Sequence, residues 1–221
     1  MQETKKFGGF NSETNDFLVG IKFNNNKEWF HAHKESYDEN VHAAISALGW
    51  AVYDDMHAFD KDFEQIPKIS RINRDLRFSK NKAPYKTEKW FFLRADQKPD
   101  LVYPRPSFFF AMNAEYWDYG LLFSPEPSLL ASYRQKVMAR QKEFKDIIKL
   151  TEGFELEGDK YKRAFYKDAD PLLFPWIQAK VIALTKSFDY RDKRFYSEEL
   201  PHILSKEFQK LYPLYKFLEI L

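Results

Sequence analysis

The chain has 221 residues, 44% of them hydrophobic and 18% aromatic, a length that buries a sizeable core without staples and a composition that favours broad sheet faces. The absence of cysteine excludes disulfides, thiol nucleophiles and cysteine-containing zinc sites. A formal net charge of +2 excludes a generally basic surface, so any anion binding must come from a local patch.

The opening MQETKKFGGFNSE has no apolar run of signal-peptide length, and no window reaches the roughly 18 apolar residues of a membrane span. The chain therefore reads as soluble and cytoplasmic. A short helix is expected over about residues 13–22. A longer one follows over about 26–63, capped by Asn25 with Glu28 reaching back, because Phe30, Tyr37, Val41, Ile45, Leu48, Val52, Phe59 and Phe63 recur at helical spacing. Gly49 is the expected break in it. Three aromatic runs then predict strands over 89–94, 107–112 and 116–123, the last two joined by the turn-like Asn113-Ala114-Glu115, with a proline-rich loop from Pro99 to Pro106 before them. Gly120 inside the third run suggests a bulge or a close backbone approach.

Ser124-Pro125 predicts the start of a helix reaching about Leu150, with Gly153 as its stop. Short strands are expected over 154–157 and 161–165, a helical turn over 172–177 and a strand over 180–188. The last helix should start near 197–201 and kink or stop at Pro213. No repeat or linker divides the chain, so residues 1–221 are read as one α+β domain. Its helical part lies over about 13–63, its basic motif over 68–89, and its sheet and further helices over 90–221. The sheet should be largely antiparallel, with helices packed on one face.

The stretch RINRDLRFSKNKAPYK, Arg71 to Lys86, concentrates the positive charge. Spacing of three between Arg71, Arg74 and Arg77 suits a helical or 3₁₀ turn, whereas a strand would send Arg74 to the opposite face. On such a turn Asp75 would pair with Arg71, and Tyr85 and Lys86 would fold back past Lys82 through Ala83-Pro84. Guanidinium forks bind phosphate or carboxylate through parallel hydrogen bonds, which makes Arg71, Arg74, Arg77, Lys82, Tyr85 and Lys86 a candidate anion-binding set. The competing reading is structural. The acidic helix end at Asp54, Asp55, Asp60, Asp62 and Glu64 could absorb the same charge in an ion-pair network that ties the long helix to the sheet.

This motif, together with Asn25-Asn26-Lys27-Glu28-Trp29-Phe30, resembles the bacterial and fungal family catalogued as domain of unknown function 2461. Its hallmark is similar to Arg71-Ile72-x-Arg74-Asp75-x-Arg77-Phe78-x-x-x-Lys82-x-Pro84-Tyr85-Lys86, and the order of elements covers nearly the whole chain. The resemblance implies a dedicated role for these residues without naming a reaction. It also adds Arg134 on the helix after Asp118-Tyr119-Gly120 as a possible contributor, while Lys162 lacks the proline and glycine that accompany it in the family.

No glycine-rich nucleotide loop, nucleophile elbow or His-Glu-x-x-His occurs, so no cofactor and no metal is called for. His31 and His33 diverge on a helix. Asp54, His57 and Asp60 form only a weak metal pattern. Trp90, Phe92 or Tyr103 could stack bases, but the near-neutral charge disfavours nucleic acid. The leading expectation is a site for a phosphorylated or carboxylated small molecule, with Asp75 and Tyr85 the nearest groups for any proton transfer. The alternative is a non-catalytic interaction module that docks an acidic protein or a nucleic acid.

Overall fold

Alternation builds the sheet. The computed structural model describes residues 6–77, 79–95 and 105–219; Phe78, Tyr103 and most of the Pro99–Pro106 loop lie outside them. In β2 (Glu88–Arg94), β3 (Ser107–Asn113) and β4 (Tyr116–Phe123) every second side chain is buried on one face: Lys89, Phe91 and Leu93, then Phe108, Phe110 and Met112, then Trp117, Tyr119 and Leu121. β1 (Ile66–Ile69) flanks β2, and β6 (Ile182–Asp189) flanks β4. β5 (Glu155–Glu157) closes the far edge, giving a six-stranded antiparallel sheet in the order β1-β2-β3-β4-β6-β5. The register sets Phe91, Phe110, Tyr119 and Lys186 side by side, and on the other face Trp90, Ala111, Asp118 and Ser187.

Helices bury the first face. α1 (Ser12–Phe23) is capped by Asn11, whose side chain accepts from the Thr14 N–H in a capping box. The expected long helix is instead α2 (Lys27–Ala32), α3 (Lys34–Ser36), a π-helical turn over Tyr37–Ala43 and α4 (Ala44–Phe59). Its cap is Asn26 rather than Asn25, and it breaks at His33, whose ring stacks on Trp29 at 4.0 Å. Gly49 does not break it. A Cβ there would lie 2.9 Å from the Pro67 side chain, so this glycine lets α4 approach β1. The helix expected over 124–150 divides at Arg140 into α5 (Pro127–Ala139) and α6 (Gln141–Leu150), and 161–165 forms no strand.

α7 (Phe174–Gln178) and α8 (Leu200–Glu219) complete the cover, with Phe108 stacked on Phe208 at 4.7 Å and on Tyr215 at 5.4 Å. α8 runs through Pro213 instead of stopping there. A proline inside a helix costs about 3 kcal/mol, and burial of Leu214, Tyr215, Phe217 and Leu218 beyond it, each contributing about 2 kcal/mol, offsets that cost. The architecture is α+β, with a largely antiparallel sheet. No helix of the described residues is long and apolar enough to cross a membrane.

Gly120 is fixed by contact. A Cβ there would stand 1.7 Å from the Leu184 carbonyl oxygen and 3.2 Å from the Phe109 ring. Gly120→Ala should lower unfolding free energy by about 3 kcal/mol in urea titration, because backbone on the neighbouring strand must shift. Gly8→Ala, with nothing within 4 Å of its Cβ, is the control and should change little.

Candidate functional site: a cationic loop beside an aromatic sheet face

The motif loop is extended, not helical. Asn73 and Tyr85 form an antiparallel bridge, flanked by the Arg74 N–H donating to the Pro84 carbonyl at 2.9 Å and the Lys86 N–H donating to the Ile72 carbonyl at 2.8 Å. Exposure alternates along it: Arg71, Asn73, Asp75 and Arg77 are exposed, while Ile72, Arg74 and Leu76 are half-buried. The period of two splits the three arginines, as an extended backbone must. Arg74 turns to the other side and donates to Ser79 Oγ at 3.3 Å.

Three anchors hold the loop. The Asn25 carboxamide clamps the backbone of Tyr85, accepting from its N–H and donating to its carbonyl, both at 3.0 Å. The Tyr85 ring is 6% exposed and stacks on Phe30 at 4.3 Å, so it supports the loop from beneath rather than lining an open wall. The third anchor is Lys89. This side chain is 1% exposed, and its ammonium donates to the Ser70 carbonyl at 2.5 Å and to the Tyr37 hydroxyl at 2.7 Å, with no carboxylate partner among the described residues. Burial, then Lys86, push its pKa down to about 8, and burial, then Asp38, push the Tyr37 hydroxyl up to about 12. The π-helical turn that starts at Tyr37 thus meets the strand that starts the motif; such turns often mark functional positions.

Among the described residues, Arg71, Arg74, Lys82 and Lys86 make no ion pair with the acidic helix end. Asp75 pairs with Arg77 instead of Arg71, through Nε at 2.9 Å and Nη2 at 2.5 Å, and the Arg77 hydrogen bonds hold its carboxyl below the usual range. The acidic helix end is engaged elsewhere: Asp55 accepts from Ser205 Oγ at 2.8 Å, and Asp60 accepts the Tyr212 hydroxyl. Among the described residues no carboxylate stands within ion-pair distance of Arg71, Arg74, Lys82 or Lys86; Lys82 donates only to the Leu76 carbonyl, at 3.4 Å. Arg134 is 5% exposed and lies among other elements. It donates to the Ile177 carbonyl at 2.8 Å and packs on Phe165 at 4.2 Å, with no bond to the motif.

Lys86 joins the loop to the half-buried face of the sheet. Its ammonium sits 4.2 Å from the Trp90 ring centre, with its pKa lowered by burial and then by Arg71. Next along β2, Arg94 covers Phe92 at 4.5 Å, and Phe92 packs on Phe109 at 5.8 Å. Across Ala111 from Trp90 lies Asp118. Its Oδ1 is buried without a hydrogen-bond partner, and burial, Glu157 and Glu88 raise its pKa to about 7. Of the carboxylates near the loop, Asp118 is therefore the one poised to exchange a proton near neutrality, whereas Asp75 is held ionised by Arg77. Sequence reading noted Asp118 only inside a glycine step. The available signal was an acid at an outward position of an otherwise aromatic strand.

The remaining candidates do not converge. Among the described residues no three of His, Asp and Glu could hold a metal ion. His57 contacts the Phe63 carbonyl at 3.1 Å. A cleft of about 830 Å³ between α5, α6 and α8 is lined by Lys136, Arg140, Lys142 and Lys216 against Glu143 and Asp146, with Arg140 on Glu143 at 2.5 Å and Asp146 held by Lys149 at 2.7 Å, and it shares no residue with the motif.

Lys89 gives this region a pH signature. Its folded pKa lies below the unfolded 10.5, so the unfolded chain holds the extra proton between pH 8 and 10.5, and the stability of the wild type rises with pH across that window. Compared with Lys89→Met, the wild type should gain about 3 kcal/mol between those limits in denaturant titrations. A constant difference would show that Lys89 is not titrating in the folded protein.

No curated protein matches the chain. The family model described as "Conserved hypothetical protein (DUF2461)" matches residues 13–217, a span that includes the Asn25 clamp, the whole motif loop, Asp118 and Arg134, and the chain belongs to that family.

Proposed function

We propose that the motif loop binds a phosphate or carboxylate group of a small molecule, with Arg71 and Lys86 as its main donors and Arg74 and Lys82 in reach along the loop. Arg77 contributes what Asp75 leaves available, and Tyr85 holds the loop in shape. The observation that supports this reading is the adjacency of Arg71 and Lys86, two cations close enough that Arg71 lowers the Lys86 pKa; Asp75 and Glu88 lie near them, but neither cation has a carboxylate at ion-pair distance among the described residues. Like charges held together by a clamped backbone are relieved by an anion, and the guanidinium supplies a bidentate fork for it. Asp118, whose pKa lies near neutrality, is the group best placed to exchange a proton should a reaction follow.

A docking role for an acidic partner has one observation in its favour, the exposure of Arg71, Arg77, Lys80 and Lys82. Salt separates the two readings. Nucleic-acid binding falls steeply with ionic strength, whereas one or two charged contacts in a compact site depend on it more gently.

Calorimetric titration with inorganic phosphate at low ionic strength tests the proposal. Arg71→Ala should weaken binding about 10-fold and Arg71→Lys by several-fold, since lysine keeps the charge and loses the fork. Both variants should melt within about 2 °C of the parent, because removing the exposed Arg71 cation beside Lys86 leaves no carboxylate unpaired. A large loss of stability in Arg71→Ala, or phosphate binding unchanged by it, would count against the site and return the motif to a folding role.

A further inference from the structure

The half-buried sheet face beside the loop carries two groups of like charge. Arg71 and Lys86 lie at one end, with Lys86 over Trp90. At the other end Glu157 acts on Asp118, with Glu88 between the two groups acting on both Asp118 and Lys86, and no ion pair joins any of the three acids to a cation among the described residues. Between them the floor is the Trp90 ring and Ala111. Trp90, Ala111 and Asp118 are cross-strand neighbours on three adjacent strands, so Trp90 and Asp118 stand about 10 Å apart.

Resting on the anion reading of the loop, we propose that this face binds a dipolar small molecule. Its phosphate or carboxylate lies on Arg71 and Lys86, its apolar body lies over Trp90 and Ala111, and its ammonium group reaches Asp118. Charge complementarity identifies the occupant. A plain anion satisfies only the cationic end and leaves Asp118 Oδ1, buried and without a donor, as it is. An ammonium beside the carboxylate supplies a counter-charge and relieves the repulsion among three carboxylates. A bare metal ion is not favoured, because no three acidic or histidine groups among the described residues converge on one point. The short floor excludes a long polymer as the matched ligand and suits a chain of about six carbons between the two charges.

The test uses the full chain and two synthetic probes that differ in one group, hexyl phosphate and 6-aminohexyl phosphate, with inorganic phosphate as reference. In calorimetric titrations the amino compound should bind the wild type at least about 10-fold more tightly than hexyl phosphate. Asp118→Asn should bring that ratio close to one while leaving hexyl phosphate affinity unchanged, and Arg71→Ala should weaken both probes together. Glu157→Gln, at an exposed position, should lower the ratio in part and serves if Asp118→Asn does not fold. Equal binding of the two probes, or tighter binding of hexyl phosphate, overturns the dipolar site and leaves the anion site standing. Failure of all three compounds to bind overturns both.

Discussion

The ammonium of Lys89, buried with no carboxylate partner among the described residues, constrains the elements around it. A cation in the interior must find oxygen acceptors, and it finds two: the Ser70 carbonyl at the end of β1 and the hydroxyl of Tyr37. Where these bonds form, the helix widens into a π turn starting at Tyr37 and the strands fall out of step. From the Ile69 and Phe91 pair to the Asn73 and Tyr85 bridge, one strand takes four steps and its partner six. That two-residue excess is a bulge, and it re-aims the chain so that the motif leaves the sheet as a wide loop. Asn25 and Phe30 then secure the returning arm at Tyr85, so both ends of a strongly cationic loop are fixed before any ligand arrives.

Preorganisation of this kind has a physical use. Four cations on a mobile loop would spread apart and bind an anion only after ordering themselves, at a cost of about 1 kcal/mol or more per immobilised side chain. Here the backbone bridge and the Asn25 clamp hold the loop, and Lys86 is stacked on Trp90. The sheet face continues from that contact toward Asp118. Its carboxyl sits where two other acids and partial burial make the ionised form costly, the mirror image of the crowding at Arg71 and Lys86.

Much of the fold was legible because it rests on local periodicity. Strands over 88–94, 107–113 and 116–123 announce themselves by alternating aromatics, and the order of elements led to α+β. What stayed hidden depends on neighbours far along the chain. β1 is four residues long and contains Pro67, which reads as a breaker although it sits on an edge strand. Pro213 is tolerated because the turn after it is buried. The motif was misread for a different reason. Three-residue spacing of arginines imitates a helix, while the alternation of Ile72, Arg74 and Leu76 with Arg71, Asn73, Asp75 and Arg77 is the pattern the backbone follows. Lys89 reads as one more surface cation of the basic run, and only the structure shows it turned inward. Asp118 was illegible as a site because its environment is assembled from β2 and β5, roughly 30 and 40 residues away in sequence.

Arg71 and Lys86 are held ready, with no carboxylate at ion-pair distance among the described residues. Selenate is a phosphate-sized dianion whose anomalous scattering locates it without ambiguity, so crystals soaked in it offer the most direct measurement. An anomalous peak is expected within hydrogen-bond distance of both the Arg71 guanidinium and the Lys86 ammonium, with the Asn25 and Tyr85 clamp unchanged. A loop empty of selenate, with Arg71 and Lys86 each turned onto a carboxylate of the protein, would contradict that expectation.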